Sequence, residues 1–179
     1  QKGVSFVSED RRGVGLLLAD SIRDNIIFTA MQIKKEFLSA GLLNARQANS
    51  HAQTMVKQLD IRCTGIGQAV GSLSGGNQQK VCLARALTTN PRILIVSEPT
   101  RGIDAAARSD VYGIIRQLKE EGVAVLMVSS DIEEVVELAD RAITIFQGRI
   151  NGEFSHDEIS QDALTSASFG IGHERVVAK

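Results

Sequence analysis

Pro91-Arg92-Ile93-Leu94-Ile95-Val96-Ser97-Glu98-Pro99 is the stretch on which the fold turns. Pro91 and Pro99 are the only prolines, and between them stand four β-favouring apolar residues in a row. An unbroken run of this kind predicts a strand buried on both faces, as in a parallel sheet. Downstream, Asp104–Glu121 reads as a helix whose apolar stripe is Val111, Ile114, Ile115 and Leu118, ended by Gly122. Val123–Val128 is a second buried strand, Asp131–Leu138 a helix and Arg141–Phe146 a third strand. Gln147-Gly148 predicts a hairpin into Ile150–Phe154. Strand, helix, strand, helix, strand with short turns is the pattern of βαβ units, whose crossovers are right-handed.

Upstream, Gly3–Val7 is a short strand candidate that runs into the polar loop Ser8–Gly13. Residues 14–61 read mostly as helix. Ile22, Ile26 and Ile27 recur at helical spacing behind Asp20 or Ser21 as N-cap. Met31, Phe37 and Leu38 suggest a second helical turn, broken at Gly41. Ala48–Leu59 is amphipathic, with Met55, Val56 and Leu59 on one side. The stretch reads as a helical lobe. After Gly65, Gly67 and Gly71 comes Leu73-Ser74-Gly75-Gly76-Asn77-Gln78-Gln79-Lys80, then a helix to about Leu87 and a turn over Thr88–Pro91. The tail from about Ser155 is less patterned, and Ser166–Lys179 reads as loosely held.

Composition bounds the function. The chain has 179 residues, 43% hydrophobic and 23% charged, with 20 basic and 21 acidic side chains. That is ordinary globular composition for one domain, or one domain plus a small lobe. The net charge of −1 excludes a chain-wide basic footprint for nucleic acid or lipid. No apolar run approaches the roughly 20 residues that span a bilayer, and no signal-peptide pattern is visible at Gln1–Val7. Two cysteines, Cys63 and Cys82, build neither a disulfide framework nor a zinc site by themselves. Cys82 lies in an apolar helical run and reads as core.

Four short patterns carry chemistry, and each admits a plainer reading. Ser74-Gly75-Gly76 before a helix lets backbone approach a ligand and aims N–H groups at an anion such as phosphate; it equally reads as a Ser N-cap with a flexible entry. Ile93–Glu98 delivers Ser97 and Glu98 to the C-terminal edge of a parallel sheet, where ligands of such sheets bind. Glu98 there can orient or deprotonate a water that attacks phosphorus, or it is a solvated strand end. Thr100-Arg101-Gly102-Ile103-Asp104 leads into a helix that Asp104 can cap. Ser129-Ser130-Asp131 ends the next strand at the same edge, or serves as a capping box with Glu133 and Glu134.

Taken in order, these patterns resemble the ATP-binding-cassette (ABC) ATPases. Leu73–Lys80 is similar to their signature motif, Ile93–Glu98 to the Walker B strand with its catalytic glutamate, and Arg101–Asp104 to the D-loop. Ser130 falls at the switch-histidine position. Ser8-Glu9-Asp10-Arg11-Arg12-Gly13-Val14-Gly15-Leu16 falls at the Q-loop. The set resembles, from Gly3 to about Phe169, the second cassette of bacterial sugar-import ATPases of the ribose, galactose, xylose and autoinducer-2 type. The resemblance implies an α/β, P-loop NTPase-like parallel sheet with helices on both faces and an α-helical signature subdomain. It divides the chain into a helical subdomain over 9–89, a partial ATPase core over 1–8 and 90–154, and a tail over 155–179.

No Gly-Lys-Ser/Thr occurs, so the Walker A phosphate loop is absent. In the family it lies upstream, and with Gln1 as first residue the expectation is the C-terminal part of a cassette. Three positions depart from the family. Ser97 stands at the Walker B aspartate, where a neutral hydroxyl is a poorer partner for Mg²⁺. Glu9 replaces the Q-loop glutamine, and Ser130 replaces the histidine; both are shared with that second cassette. Glu98 is kept.

By resemblance, Glu98 would be catalytic, and Ser74, Gly75, Gly76, Gln78, Asp104 and Ser130 would bind nucleotide. Glu9 holds the Q-loop position and Ser97 the Walker B position, with no metal ligand certain. ATP and Mg²⁺ would be the cofactors of the complete protein. Its partners would be transmembrane permease subunits, a first cassette in the same or another chain and, indirectly, a periplasmic sugar-binding protein, with no nucleic acid. Its place would be the cytoplasmic side of the bacterial inner membrane. The implied function is energy coupling for sugar import, with the isolated chain inactive. The alternative is a catalytically degenerate cassette that dimerises and lends its signature motif to another ATP site. An ABC ATPase of DNA repair would bring coiled coils and basic surfaces, and this chain has neither.

Overall fold

The computed structural model describes residues 3–171. The chain divides into two compact units at Val128/Ser129, and each is described by itself. In chain order the first holds β1 (Val4–Val7), α1 (Ile22–Lys34), β2 (Leu38–Ser39), β3 (Leu42–Leu43), α2 (Ala45–Gln58), α3 (Gly75–Leu87), β4 (Ile93–Ser97), α4 (Ala105–Glu120) and β5 (Ala124–Val128). The second holds α5 (Ile132–Leu138), β6 (Arg141–Phe146), β7 (Arg149–Ser155) and α6 (Gln161–Ser168).

The first unit is built on a parallel sheet of order β1-β4-β5. β4 is the Ile93–Val96 run, and it is central. Helix α3 packs on β1 and α4 on β5, so Val7, Leu94 and Val96 are buried. The alternate residues are not: Phe6 is 61% exposed, Leu126 56% and Val128 55%. The expectation of strands buried on both faces, with helices on both sides, is therefore met on one face among the described residues. The period-2 alternation of side chains turns that one-sided cover into an alternating burial pattern along an all-apolar run.

The helical lobe is built as its sequence suggests, with one correction. Ser21 caps α1 by accepting from the Asp24 N–H at 3.0 Å, and Ile22, Ile26, Ile27 and Ala30 are buried. The helix does not continue through Phe37. Lys35 takes a left-handed conformation (φ 60°) and ends it. Ala40 and Gly41, both at positive φ, make a two-residue turn between β2 and β3, the geometry that such hairpins require. The short hairpin was hidden because two-residue strands carry no period. In α4 the buried residues are Val111, Ile114, Ile115 and Leu118, as the stripe predicts.

Asn25 ties this unit together from a fully buried position. Its Oδ1 accepts from the Leu17 N–H at 2.9 Å and from Arg85 Nη2 at 2.5 Å. Its Nδ2 donates to the carbonyls of Leu17 and Ser21 at 2.9 and 3.0 Å. Arg85 also donates to the Asn25 and Gly15 carbonyls at 2.8 and 2.7 Å. One amide thus joins α1, α3 and the loop between β1 and α1.

In the second unit, β6 and β7 form an antiparallel hairpin in a sheet of their own. Arg141–Phe146 is a strand as expected, but it pairs in the hairpin and does not complete a βαβ unit. Gln147 and Gly148, both at positive φ, make the predicted tight turn, and it commits β6 to its neighbour in sequence. The stretch after Ser155, which reads as less patterned with Ser166–Lys179 loosely held, contains α6, whose Leu164 and Ala167 are buried with Ala142 and Phe154. Residues 172–179 of that stretch lie outside the described residues.

Two measurements check this account. Asn25→Ala strands the Leu17 N–H and carbonyl and the half-buried Arg85 guanidinium, so it should cost about 1–3 kcal/mol in urea melts, against about 1 kcal/mol for loss of the Ser21 cap. His51 Nε2 meets Thr88 Oγ1 at 2.9 Å; because that hydroxyl donates to the Ala84 carbonyl, Nε2 is the donor. Burial holds the His51 pKa below its ordinary value. The unfolded chain therefore takes up more protons as pH falls through about 6.5. Stability should fall on acidification from pH 7.5 to 5.5, and a His51→Gln variant should lose less over that range.

Candidate functional site

Helix α3 begins at Gly75 behind Ser74, which sits at the N-cap with extended backbone but makes no side-chain cap bond. Its hydroxyl instead accepts from Asn77 Nδ2 at 2.9 Å, and Asn77 Oδ1 accepts from the Arg62 N–H at 2.8 Å. The first N–H groups of a helix have no partner within it. Without a Ser74 cap they keep their capacity for an outside acceptor, and the helix dipole favours an anion there.

The glycines serve a second purpose that the sequence does not disclose. A Cβ on Gly76 would stand 2.3 Å from Ala107 Cβ on α4. One on Gly75 would stand 3.1 Å from the Gly102 carbonyl oxygen. The first turn of α3 therefore packs backbone-close on the turn before α4 within this chain. Gln78 also points inward. It is buried, and its Nε2 donates to the Leu73 and Val70 carbonyls at 3.1 and 3.4 Å, which shapes the loop before the helix.

At the end of β4, Ser97 pairs with Val128 in the sheet, and Glu98 takes a positive φ of 48°. Its N–H donates to the Val128 carbonyl at 2.7 Å, and its carbonyl accepts from the Arg101 N–H at 3.2 Å. A non-glycine residue held at positive φ is costly, and such strain gathers at functional sites. Asp104 caps α4, accepting from the Ala107 N–H at 3.0 Å. Ser130 is exposed at the start of the second unit. Beside it, Asp131 caps α5, accepting from the N–H groups of Glu133 and Glu134.

The Glu9 segment forms a wide turn in which both Val14 and Gly15 N–H groups donate to the Asp10 carbonyl. Glu9 Oε2 accepts from Arg101 Nη1 at 3.2 Å. Arg11 Nη1 reaches Gln79 Oε1, and Nη2 reaches the Gly102 carbonyl, each at 3.4 Å. Glu9, the start of α3 and the Arg101–Gly102 turn are thereby brought together. Arg11 was missed in the sequence because basic residues in a polar loop carry no spacing signal. Cys82 is buried near Arg11 and Arg85, and burial pushes its thiol up to about 11 despite them, so it is an inert core thiol.

The residues can be tested against the groups that the patterns imply. A phosphate fits the uncapped start of α3. Mg²⁺ bound with nucleotide takes one or two carboxylates beside the phosphates, and at the Walker B position Ser97 offers only a neutral oxygen. No helix of the described residues is long and apolar enough to cross a membrane.

The family model described as ABC transporter matches residues 1–101, more than half of the chain. The chain belongs to the ABC transporter family. A ribose import ATP-binding protein of Rhizobium meliloti, RbsA 2, is 40% identical over 170 residues, covering 95% of this chain and 33% of that protein. One of Oceanobacillus iheyensis is 40% identical over 173 residues, 96% of this chain and 34% of that protein. The chain thus spans about a third of the length of the curated relatives it matches. Among solved structures, the dimeric bacterial ABC transporter cassette MJ0796 aligns with a TM-score of 0.70 at 24% identity, over 87% of this chain and 63% of that one. A putative metal-chelate type ABC transporter in an inward-facing conformation aligns at 0.76 with 17% identity, over 94% and 65%. These last two establish the fold alone: an α/β ABC cassette.

The close approach of α3 and α4 sets a test. Gly76→Ala should lower stability by about 1–3 kcal/mol through overpacking, although alanine is the better helix former. Adding Ala107→Gly should recover much of that loss beyond additivity in chemical denaturation.

Proposed function

We propose that this chain is the signature-bearing part of the ATP-hydrolysing subunit of a bacterial sugar importer. Its α3 N-terminus closes over a nucleotide held by another cassette. The observation that carries this reading is the start of α3: an exposed Ser74, an uncapped first turn and two glycines, on a chain at 40% identity to ribose import ATP-binding proteins. In that role Ser74 and the Gly75 N–H would meet the γ-phosphate. The helix dipole would stabilise charge there as the phosphoryl group is transferred. ATP supplies the phosphoanhydride whose cleavage drives transport.

The chain's own half of the reaction is weak. In this reading Glu98 would act on water, but Ser97 gives a neutral group where a carboxylate would support a cation, and Ser130 has no imidazole to lend. This is the observation that favours the second reading, a degenerate cassette whose value lies in what it lends to its partner. The helical lobe and the cleft of about 840 Å³ beside β1, lined in part by Ser8, Ile33, Lys34, Cys82 and Arg85, are the surface we assign to a membrane permease. On this reading the chain works at the cytoplasmic face of the inner membrane, with a periplasmic sugar-binding protein acting through the permease.

Calorimetry on the 179-residue chain at millimolar MgATP should show no binding and no turnover. Mixed with a complete cassette that carries a phosphate loop, it should raise that partner's turnover at least about tenfold, or about 1.4 kcal/mol in the barrier. Ser74→Arg should abolish the stimulation and Glu98→Gln should not. Micromolar ATP binding by the chain alone would overturn the reading.

A further inference from the structure

Arg11 occupies the junction of three segments, and the geometry points to a role for it that the signature, Walker B and D-loop patterns do not contain. Its two terminal nitrogens part to different elements: Nη1 donates to Gln79 Oε1 on α3, and Nη2 to the Gly102 carbonyl at the turn before α4. Nη2 would also stand 3.7 Å from a Cβ on Gly75 and 3.4 Å from one on Gly102. The guanidinium therefore lies in van der Waals contact with both glycine positions. Gln79 is buried, and its Nε2 has no hydrogen-bond partner, so the bond from Arg11 is what holds that amide.

The grip is double and crossed. The carboxylate of Glu9 takes the guanidinium of Arg101 at 3.2 Å, while the guanidinium of Arg11 takes the carbonyl of the very next residue, Gly102. Glu9 and Arg101 are about half and two-thirds exposed, and an exposed pair of this kind is weak by itself. Two weak links between the same two segments, with α3 as the third body, set geometry more than they add stability. A planar fork can serve two acceptors at once; a lysine ammonium on a flexible stem cannot hold both in register.

We propose that Arg11 is a positioning residue that makes the Glu9 turn, the first turn of α3 and the Arg101–Gly102 turn respond as one body. A change of charge or contact at Glu9 is then delivered to Gly75 and Gly76, where the phosphate of a partner's nucleotide would sit. The use of that coupling rests on the function proposed above; the coupling itself does not, and its test needs no nucleotide.

The test follows glycine amides by NMR in the 179-residue chain. Glu9→Gln should shift the amides of Gly75, Gly76 and Gly102. In an Arg11→Lys background, Glu9→Gln should still shift the amide of Arg101, its direct partner, but Gly75 and Gly76 should no longer respond. Arg11→Met provides a second background without the charge. Leu118→Ala, buried elsewhere on α4, controls for lost stability and should leave the response to Glu9→Gln intact. The proposal fails if Gly75 and Gly76 ignore Glu9→Gln in the native chain, or if they respond equally once Arg11 is replaced. Either result would leave the trans-ATP reading standing, and absence of ATP stimulation would leave this coupling standing.

Discussion

Helix α3 is buried over most of its length, yet it carries Gln78, Gln79, Lys80 and Arg85. A polar group taken out of water costs free energy unless it finds a partner. That constraint organises the first unit, because each of these side chains reaches a different neighbour, although Gln78 Oε1 and Gln79 Nε2 stay without a hydrogen bond. Gln78 turns back to the loop before the helix. Gln79 takes the Arg11 fork. Lys80, 3% exposed, donates to the Asp60 carbonyl at the end of α2 and to Asp110 on α4, at 2.9 and 2.8 Å. Arg85 takes Asn25 and Gly15. A helix held this way cannot turn about its axis without breaking bonds to α1, α2, α4 and the Glu9 loop together.

The consequence for function is that the site elements are not separate loops that happen to meet. The start of α3 lies backbone-close to the turn before α4 and to α4 itself, with Gly75 against the Gly102 carbonyl and Gly76 against Ala107, and the Glu9 turn joins them through the side chains of Glu9 and Arg11. Glycines that look in the sequence like provision for a ligand are also provision for this packing. Both needs are met by one residue type because each asks for the absence of a Cβ. The second unit keeps its own small core around Phe154 and Leu164, and its hairpin is decided by local turn chemistry at Gln147-Gly148.

Much of this was legible in the chain. The β4 run, the α4 stripe, the Ser21 cap and the Gln147-Gly148 turn are local signals: a period, a cap residue or a dipeptide with a conformational demand. The order of the motifs was legible too, and it leads to the family that the sequence comparison establishes. What stayed hidden was of two kinds. The β2–β3 hairpin is too short to show a period, and it rests on left-handed backbone at Lys35, Phe37 and Ala40, residue types that do not announce it. Arg11 is an ordinary loop arginine until the fold brings Gln79 and Gly102 to it across long stretches of chain.

The sequence by itself determined the β4 strand, the α4 stripe and the Gln147-Gly148 hairpin, and that Ser97 offers no charge beside Glu98. These are properties of side chains and of neighbours along the chain. Tertiary structure alone decided that one face of the parallel sheet is covered among the described residues and that the Glu9 and Arg101 segments lock onto each other. Those outcomes depend on which surfaces meet. Pairing between distant segments is selected by the summed burial and hydrogen bonding of the whole unit, which no local pattern encodes.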